Sequence, residues 1–155
     1  MLNQQNLEEI KKITEEFFQK TTFEVEIEFL PQRDLVLPIN LKTETPEILI
    51  GQGGQTLAEI QHLLKAILKR KIKTNEPFYL DIDINDYKKK KLAYLKELAK
   101  STAQEVALTK KEKILPPMPA SERRVIHLEL AAHPNVTTKS LGEEPERRVV
   151  VRPYP

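Results

Sequence analysis

The apolar positions along the chain change period several times, and each change marks an element. Over residues 5–20, Leu7, Ile10, Ile13, Phe17 and Phe18 recur at helical spacing, with lysine and glutamate between them. That pattern predicts an amphipathic helix. The period then drops to two. Phe23, Val25, Ile27 and Phe29 alternate with Glu24, Glu26 and Glu28, as in a half-buried strand. Pro31 to Asp34 read as a turn. Residues 35–41 (LVLPINL) predict a second strand, which Pro38 places toward a sheet edge because proline has no N–H to give a neighbour. Thr45-Pro46 predicts a helix start, with the threonine hydroxyl as N-cap and proline in the first helical position. This short helix runs into Gly51-Gln52-Gly53-Gly54. A long helix from Thr56 follows, with Leu57, Ile60, Leu64, Ile67 and Leu68 as its stripe. Residues 78–84 (FYLDIDI) alternate again and should bury Phe78, Leu80, Ile82 and Ile84.

A second set of elements begins there. Asn85 or Asp86 is placed to cap a helix from Tyr87 to about Lys111, with Leu92, Leu95, Leu98/Ala99, Thr102 and Val106 as its apolar stripe. The extended piece KILPP precedes a helix over residues 119–132. Residues 136–141 (VTTKSL) and 147–152 (RRVVVR) read as strands joined by the turn-rich Gly142-Glu143-Glu144-Pro145. The chain as a whole predicts an α+β protein of two small α/β-type domains. The first covers residues 1–85 in the order α-β-β-α-α-β, and the second covers residues 86–155.

Composition narrows the chemistry. With no cysteine, disulfides, thiol catalysis and thiolate metal sites are excluded. No apolar run approaches the ~20 residues of a membrane span, and the N-terminus has no signal-peptide core, so a cytoplasmic protein is expected. The net charge is only +2, but it is unevenly spread: residues 1–85 hold 10 basic and 14 acidic side chains, residues 86–155 hold 15 and 9. Any anion site is therefore local. In the first half the cations cluster at Lys65, Lys69, Arg70, Lys71 and Lys73, along and just beyond the long helix.

Glycine use is the sharpest signal. Of four glycines, three lie within Gly51–Gly54. The loop is not a Walker loop, since no Gly-Lys-Ser/Thr follows, and it fits a dinucleotide fingerprint poorly. It does fit a tight joint between two helices. Such a joint presents backbone N–H groups at a helix N-terminus, where they and the helix dipole suit phosphate oxygens. The competing reading is a plain interhelical turn. A second candidate is Arg123 with His127: four residues apart on a helix, they share one face. A guanidinium forks onto phosphate oxygens and an imidazole stacks or donates, although an exposed arginine and a half-buried histidine also meet this spacing by chance. Arg124, Arg147, Arg148 and Arg152 are supporting cations, or simply solvated faces. The same holds for Lys88 to Lys91, which oppose the helix dipole. His127 and His133 with Glu129 make a poor metal set, Asp81 and Asp83 are explained by strand alternation, and no nucleophile–base constellation is legible. No metal, cofactor or catalytic residue is expected. Aromatic residues, at 6%, argue against a stacked aromatic platform for bases.

The stretch Ile50-Gly51-Gln52-Gly53-Gly54-Gln55-Thr56-Leu57, with Ile60, Leu64 and Ile67 behind it, resembles the KH domain in its prokaryotic, type II arrangement. The resemblance implies a loop that clamps the backbone of about four single-stranded nucleotides. Many members carry lysine or arginine in the middle of this loop; here Gln52 and Gly53 are neutral. PMPASERRVIH and VTTKSLGEEPERRVVVRP resemble the R-three-H domain, named for its Arg-xxx-His pair, which binds single-stranded nucleic acids. The two in this order resemble the bacterial Jag (SpoIIIJ-associated) family over nearly the whole chain. That family usually begins with a further small N-terminal domain, and here the resemblance starts at the KH-like part. Association with a YidC-type membrane insertase belongs to that further domain and is not carried over.

The resemblance implies binding of single-stranded nucleic acid, with RNA the favoured reading over DNA, through Gly51, Gln52, Gly53, Gly54, Arg123 and His127. Lys65, Lys69, Arg124, Arg147 and Arg148 would lend support. The alternative is a protein-interaction adaptor, with a small KH-domain protein or a membrane insertase as partner. A third class, an RNA-processing enzyme, has no supporting residues in the chain.

Overall fold

The computed structural model describes residues 1–155. They divide into two compact units, Met1–Lys88 and Lys89–Pro155. In the first unit, helix α1 (Gln4–Gln19) opens on Asn3, whose side chain accepts from the Asn6 N–H at 2.8 Å. It turns Ile10, Ile13 and Phe18 inward. Strands β1 (Glu26–Phe29), β2 (Val36–Lys42) and β3 (Tyr79–Ile84) form a sheet in the order β1-β2-β3; β1 and β2 are antiparallel, β2 and β3 parallel. A parallel pair needs a long crossover, and here it contains α2 (Pro46–Ile50), a 3₁₀ turn (Gln52–Gly54) and α3 (Gln55–Lys71). The core gathers Leu37, Ile39 and Leu41 of β2, Leu80, Ile82 and Ile84 of β3, and Leu57, Leu64 and Leu68 of α3.

Several expectations change on contact with the tertiary structure. The alternation from Phe23 persists as alternating burial, but only Glu26–Phe29 pair as strand, because β2 ends at Lys42 opposite Glu26. Pro38 lies in the central strand, not at an edge. The reason is local. The carbonyls of Leu35 and Leu41 accept from the N–H groups of Tyr79 and Asn85 on the β3 side, whereas the Pro38 carbonyl accepts from the Leu30 N–H at 3.1 Å, just past the end of β1. The missing proline N–H therefore falls where that ladder stops. Pro46 begins α2 as expected, but Thr45 makes no side-chain cap.

On its outer edge β3 has its own partners. The Ile82 N–H donates to Gln61 Oε1 of α3 at 2.9 Å, and the Ile84 N–H to Asp83 Oδ1 at 2.8 Å.

Helix α4 (Tyr87–Thr109) carries the division between the units in its first turn. Neither Asn85 nor Asp86 caps it. Asn85 instead ties back to Thr43, accepting from its N–H at 3.0 Å and donating to its carbonyl at 2.8 Å. The cap is Asp83, which accepts from the Lys88 N–H at 3.1 Å. The second unit continues with β4 (Lys113–Ile114), α5 (Ala120–Leu130), β5 (Val136–Leu141) and β6 (Arg148–Pro153). Its antiparallel sheet has the order β4-β6-β5. The central strand β6 contributes Val149, Val150 and Val151, all fully buried, as an interior strand should. Leu95, Ala99, Ala103 and Val106 of α4 join Ile126 and Leu130 of α5 in this core. Leu92, expected in the stripe, is 42% exposed; the buried face begins one turn later, at Leu95.

Candidate nucleic-acid interface

The Gly51–Gly54 loop depends on three left-handed residues: φ is 72° at Gly51, 62° at Gly53 and 83° at Gly54. Their environments differ. A Cβ on Gly51 would lie 2.1 Å from Thr56 Oγ1, so this glycine is needed by the turn itself. Around Gly53 nothing lies within 4 Å of where a Cβ would be. Gly53 and Gln52 are exposed, so the tip is backbone open to solvent. Immediately behind it α3 begins; the Gly54 and Gln55 N–H groups donate to the Gly51 and Gln52 carbonyls, and the first-turn N–H groups that follow lack carbonyls within α3. Lys69, Arg70 and Lys71 lie in the last turn of α3. There they complement the negative end of the helix dipole, roughly 20–25 Å from the loop at 1.5 Å per residue. Lys65 is nearer, and its ammonium sits 5.3 Å from the Tyr79 ring centroid.

Arg123 and His127 do share one side of α5, but each is bonded within the protein. The Arg123 side chain keeps only 9% of its surface exposed. Its Nη1 donates to the Met118 carbonyl at 2.7 Å, and its Nη2 lies 2.6 Å from a carboxylate oxygen of Glu144, in the β5–β6 loop. His127 has Thr138 Oγ1 2.7 Å from Nδ1 and Ser140 Oγ 2.7 Å from Nε2. Burial, and then the neighbouring Arg123 charge, hold its pKa below the usual histidine value, so the ring is neutral at pH 7. The pair thus fastens α5 to the chain entering it, to β5 and to the hairpin loop. Glu144 sits on the guanidinium as a phosphate oxygen would.

The remaining cations divide into free and engaged. Arg124 is exposed. Arg147 donates to the Gly142 carbonyl at 2.9 Å, Arg148 lies 3.6 Å from Glu146, and Arg152 lies 3.0 Å from Glu112. In the lysine run, Lys88 pairs with Asp81 and Lys91 with Glu122. The chain itself therefore supplies anions to two of the four. No group of three or more histidine, aspartate or glutamate side chains is placed to hold a metal ion. No helix is long and apolar enough to cross a membrane.

Sequence reasoning missed Thr138, Ser140 and Glu144 as partners of the Arg-xxx-His pair. The two hydroxyls carried a signal: two residues apart on one strand, they must face the same way. Glu144 carried none, because a loop glutamate has no fixed direction in sequence.

The R-three-H domain family matches residues 93–153, nearly all of the second unit. The RNA-binding protein KhpB of Lactiplantibacillus plantarum is 42% identical over 113 residues, covering 73% of this chain and 34% of that protein. KhpB of Clostridium symbiosum is 36% identical over 113 residues, covering 73% of this chain and 50% of the relative. KhpB of Bacillus subtilis is 36% identical over 110 residues, 70% of this chain and 52% of the relative. The match thus spans about a third to a half of the length of these relatives. A second unit that matches the R-three-H family, behind a first unit whose glycine loop opens a long helix, places the chain among the KhpB-like, Jag-type proteins.

Proposed function

We propose that this chain binds single-stranded RNA without catalysing its conversion, using the Gly51–Gly54 loop and the R-three-H unit as two separate contacts. The Gly53 environment carries this reading. An exposed left-handed glycine with open space around it, at the start of a 17-residue helix, lets a sugar-phosphate backbone come within hydrogen-bonding reach of main-chain N–H groups. In the second unit Arg123 receives a phosphate in exchange for Glu144, with His127 beside it and Arg124 in solvent. Each contact is modest on its own, and two on one strand reinforce each other through effective concentration. The KhpB relatives are named as RNA-binding, which favours RNA over DNA.

The test is fluorescence anisotropy of a short labelled RNA at two salt concentrations, with matching DNA and duplex controls. Binding to the single strand that weakens by a log–log slope of about −0.7 per phosphate contact supports the proposal. A folded protein that binds nothing at low salt refutes it.

One observation favours the adaptor reading: free cations are sparse at both candidate sites, since Gln52 and Gly53 are neutral and Arg123 is already paired, which leaves Arg124 alone in solvent. In that reading the partner is a protein, such as a small KH-domain protein, and its binding need not follow the phosphate salt slope.

A further inference from the structure

The seam between α3 and β3 in the first unit is fixed by three contacts. At one end, a Cβ on Gly54 would approach the Tyr87 ring to 3.2 Å. In the middle, Gln61 Oε1 accepts from the Ile82 N–H at 2.9 Å. At the far end, the Lys65 ammonium lies over the Tyr79 ring at 5.3 Å from its centroid. The helix and the strand therefore run in opposite directions, and the seam leads from the glycine loop to Tyr79. Its length follows from either element. Ten helical residues from Gln55 to Lys65 span about 15 Å, and five strand residues from Ile84 to Tyr79 span about 17 Å. A stacked strand advances about 3.4 Å per nucleotide, so Tyr79 stands about four to five nucleotides from the loop.

The end of the seam has the chemistry for a base. Tyr79 begins β3 and its backbone N–H donates to the Leu35 carbonyl at 2.8 Å, so the main chain there is fixed. Its side chain is 48% exposed. Lys65 holds the ring in place and brings a cation beside it, and Lys69, one turn on, is exposed. The nearest carboxylate on the same strand face, Asp81, is taken up by Lys88, which removes the charge that would repel a phosphate. Surface lysines often lie over aromatic rings without further meaning. What distinguishes this pair is its place in line with the loop and with the Gln61 amide.

We propose that Tyr79, with Lys65, stacks a base about four to five nucleotides from the Gly51–Gly54 loop and so sets the far end of the first unit's strand path. This deepens the proposed function and rests on it. A single aromatic stack gives anchoring with little base preference, because every base has a π-face.

The test uses the full chain and single-stranded RNA hexamers, intact or with one base removed at successive positions. In the wild type, removing the stacked base should weaken binding at least about fivefold, the lower end of what one stack contributes. In Tyr79→Ala that cost should vanish at the same position, while Tyr79→Phe keeps it. The chain has no tryptophan, so Tyr79→Trp creates a single reporter whose fluorescence an intact hexamer should quench and the hexamer lacking that base should not. The proposal is overturned if Tyr79→Ala binds every hexamer as the wild type does while Gln52→Asp/Gly53→Asp has lost affinity; the RNA-binding reading then stands. It also falls if the loss in Tyr79→Ala is equal for every hexamer, since a positioned stack acts at one base. If the folded wild type binds no hexamer, both readings fall together.

Discussion

Substituting Glu144 by glutamine should move stability and affinity in opposite directions. Glu144 Oε1 lies 2.6 Å from Arg123 Nη2; the arginine side chain is 9% exposed and the glutamate 57%. A hydrogen bond to a charged group contributes about 1.5–3 kcal/mol when sheltered. Water competes for the exposed carboxylate, which brings the figure down to about 1 kcal/mol. Glu144→Gln keeps a carbonyl oxygen but removes the charge, so the β5–β6 hairpin should lose up to about 1 kcal/mol of protection. In the wild type a phosphate reaches Arg123 only after the carboxylate leaves. Removing that competitor returns about 1 kcal/mol, or about fivefold in Kd.

The measurements are amide hydrogen exchange in β5 and β6, and anisotropy with labelled single-stranded RNA at fixed salt. Faster exchange together with tighter binding is expected, and Arg123→Met in the Glu144→Gln background should abolish the gain in affinity. Faster exchange with unchanged or weaker binding would refute the reasoning: Arg123 would then be a fastener of the hairpin and no phosphate site.

Other perturbations test other parts. Gln52→Asp/Gly53→Asp should lower the melting temperature only modestly, because Asp enters a left-handed position at less cost than most side chains and meets no neighbour at Gly53, yet should weaken RNA binding by repulsion, as anisotropy would register. Gly51→Ala should lower the melting temperature much more than Gly53→Ala, since only at Gly51 does the added carbon collide, with Thr56. Asp83→Ala should cost about 1 kcal/mol through the lost cap of α4, visible as faster exchange in that helix's first turn. The neutral His127 gives the pH dependence its sign. With its folded pKa below the usual 6.5, its contribution to stability is complete above that pH and is lost as the pH falls toward the lowered value. Urea unfolding at several pH values should show a slope in this window that His127→Gln flattens.

Most of the fold was legible because the apolar periods are clean. The stretch from Tyr79 to Ile84 alternates without a break, and β5 coincides with VTTKSL. What was illegible depended on neighbours far away in sequence. Pro38 argued for an edge, yet a central strand accepts it because β1 stops beside it. Asn85 looked like a helix cap, but Thr43, 42 residues back, offered its amide both a donor and an acceptor, and Asp83 took the capping role. The glycine loop was visible as a cluster, whereas the division of labour within it was not: Gly51 is fixed by Thr56, and only Gly53 stands open. Likewise the Arg-xxx-His pair was visible and its occupancy by Glu144, Thr138 and Ser140 was not, since that requires knowing which way the hairpin folds back.

The side chains bonded along the outer edge of β3 bear on how copies of this protein behave when crowded. An open strand edge is a template for another chain's strand and a seed for aggregation. Here Gln61 and Asp83 occupy the N–H groups of Ile82 and Ile84 that such a strand would need. A neighbouring molecule would have to break two intramolecular bonds before gaining its own. The β3 edge is thus guarded by side chains rather than by a further strand, which disfavours pairing of another molecule's strand along that edge.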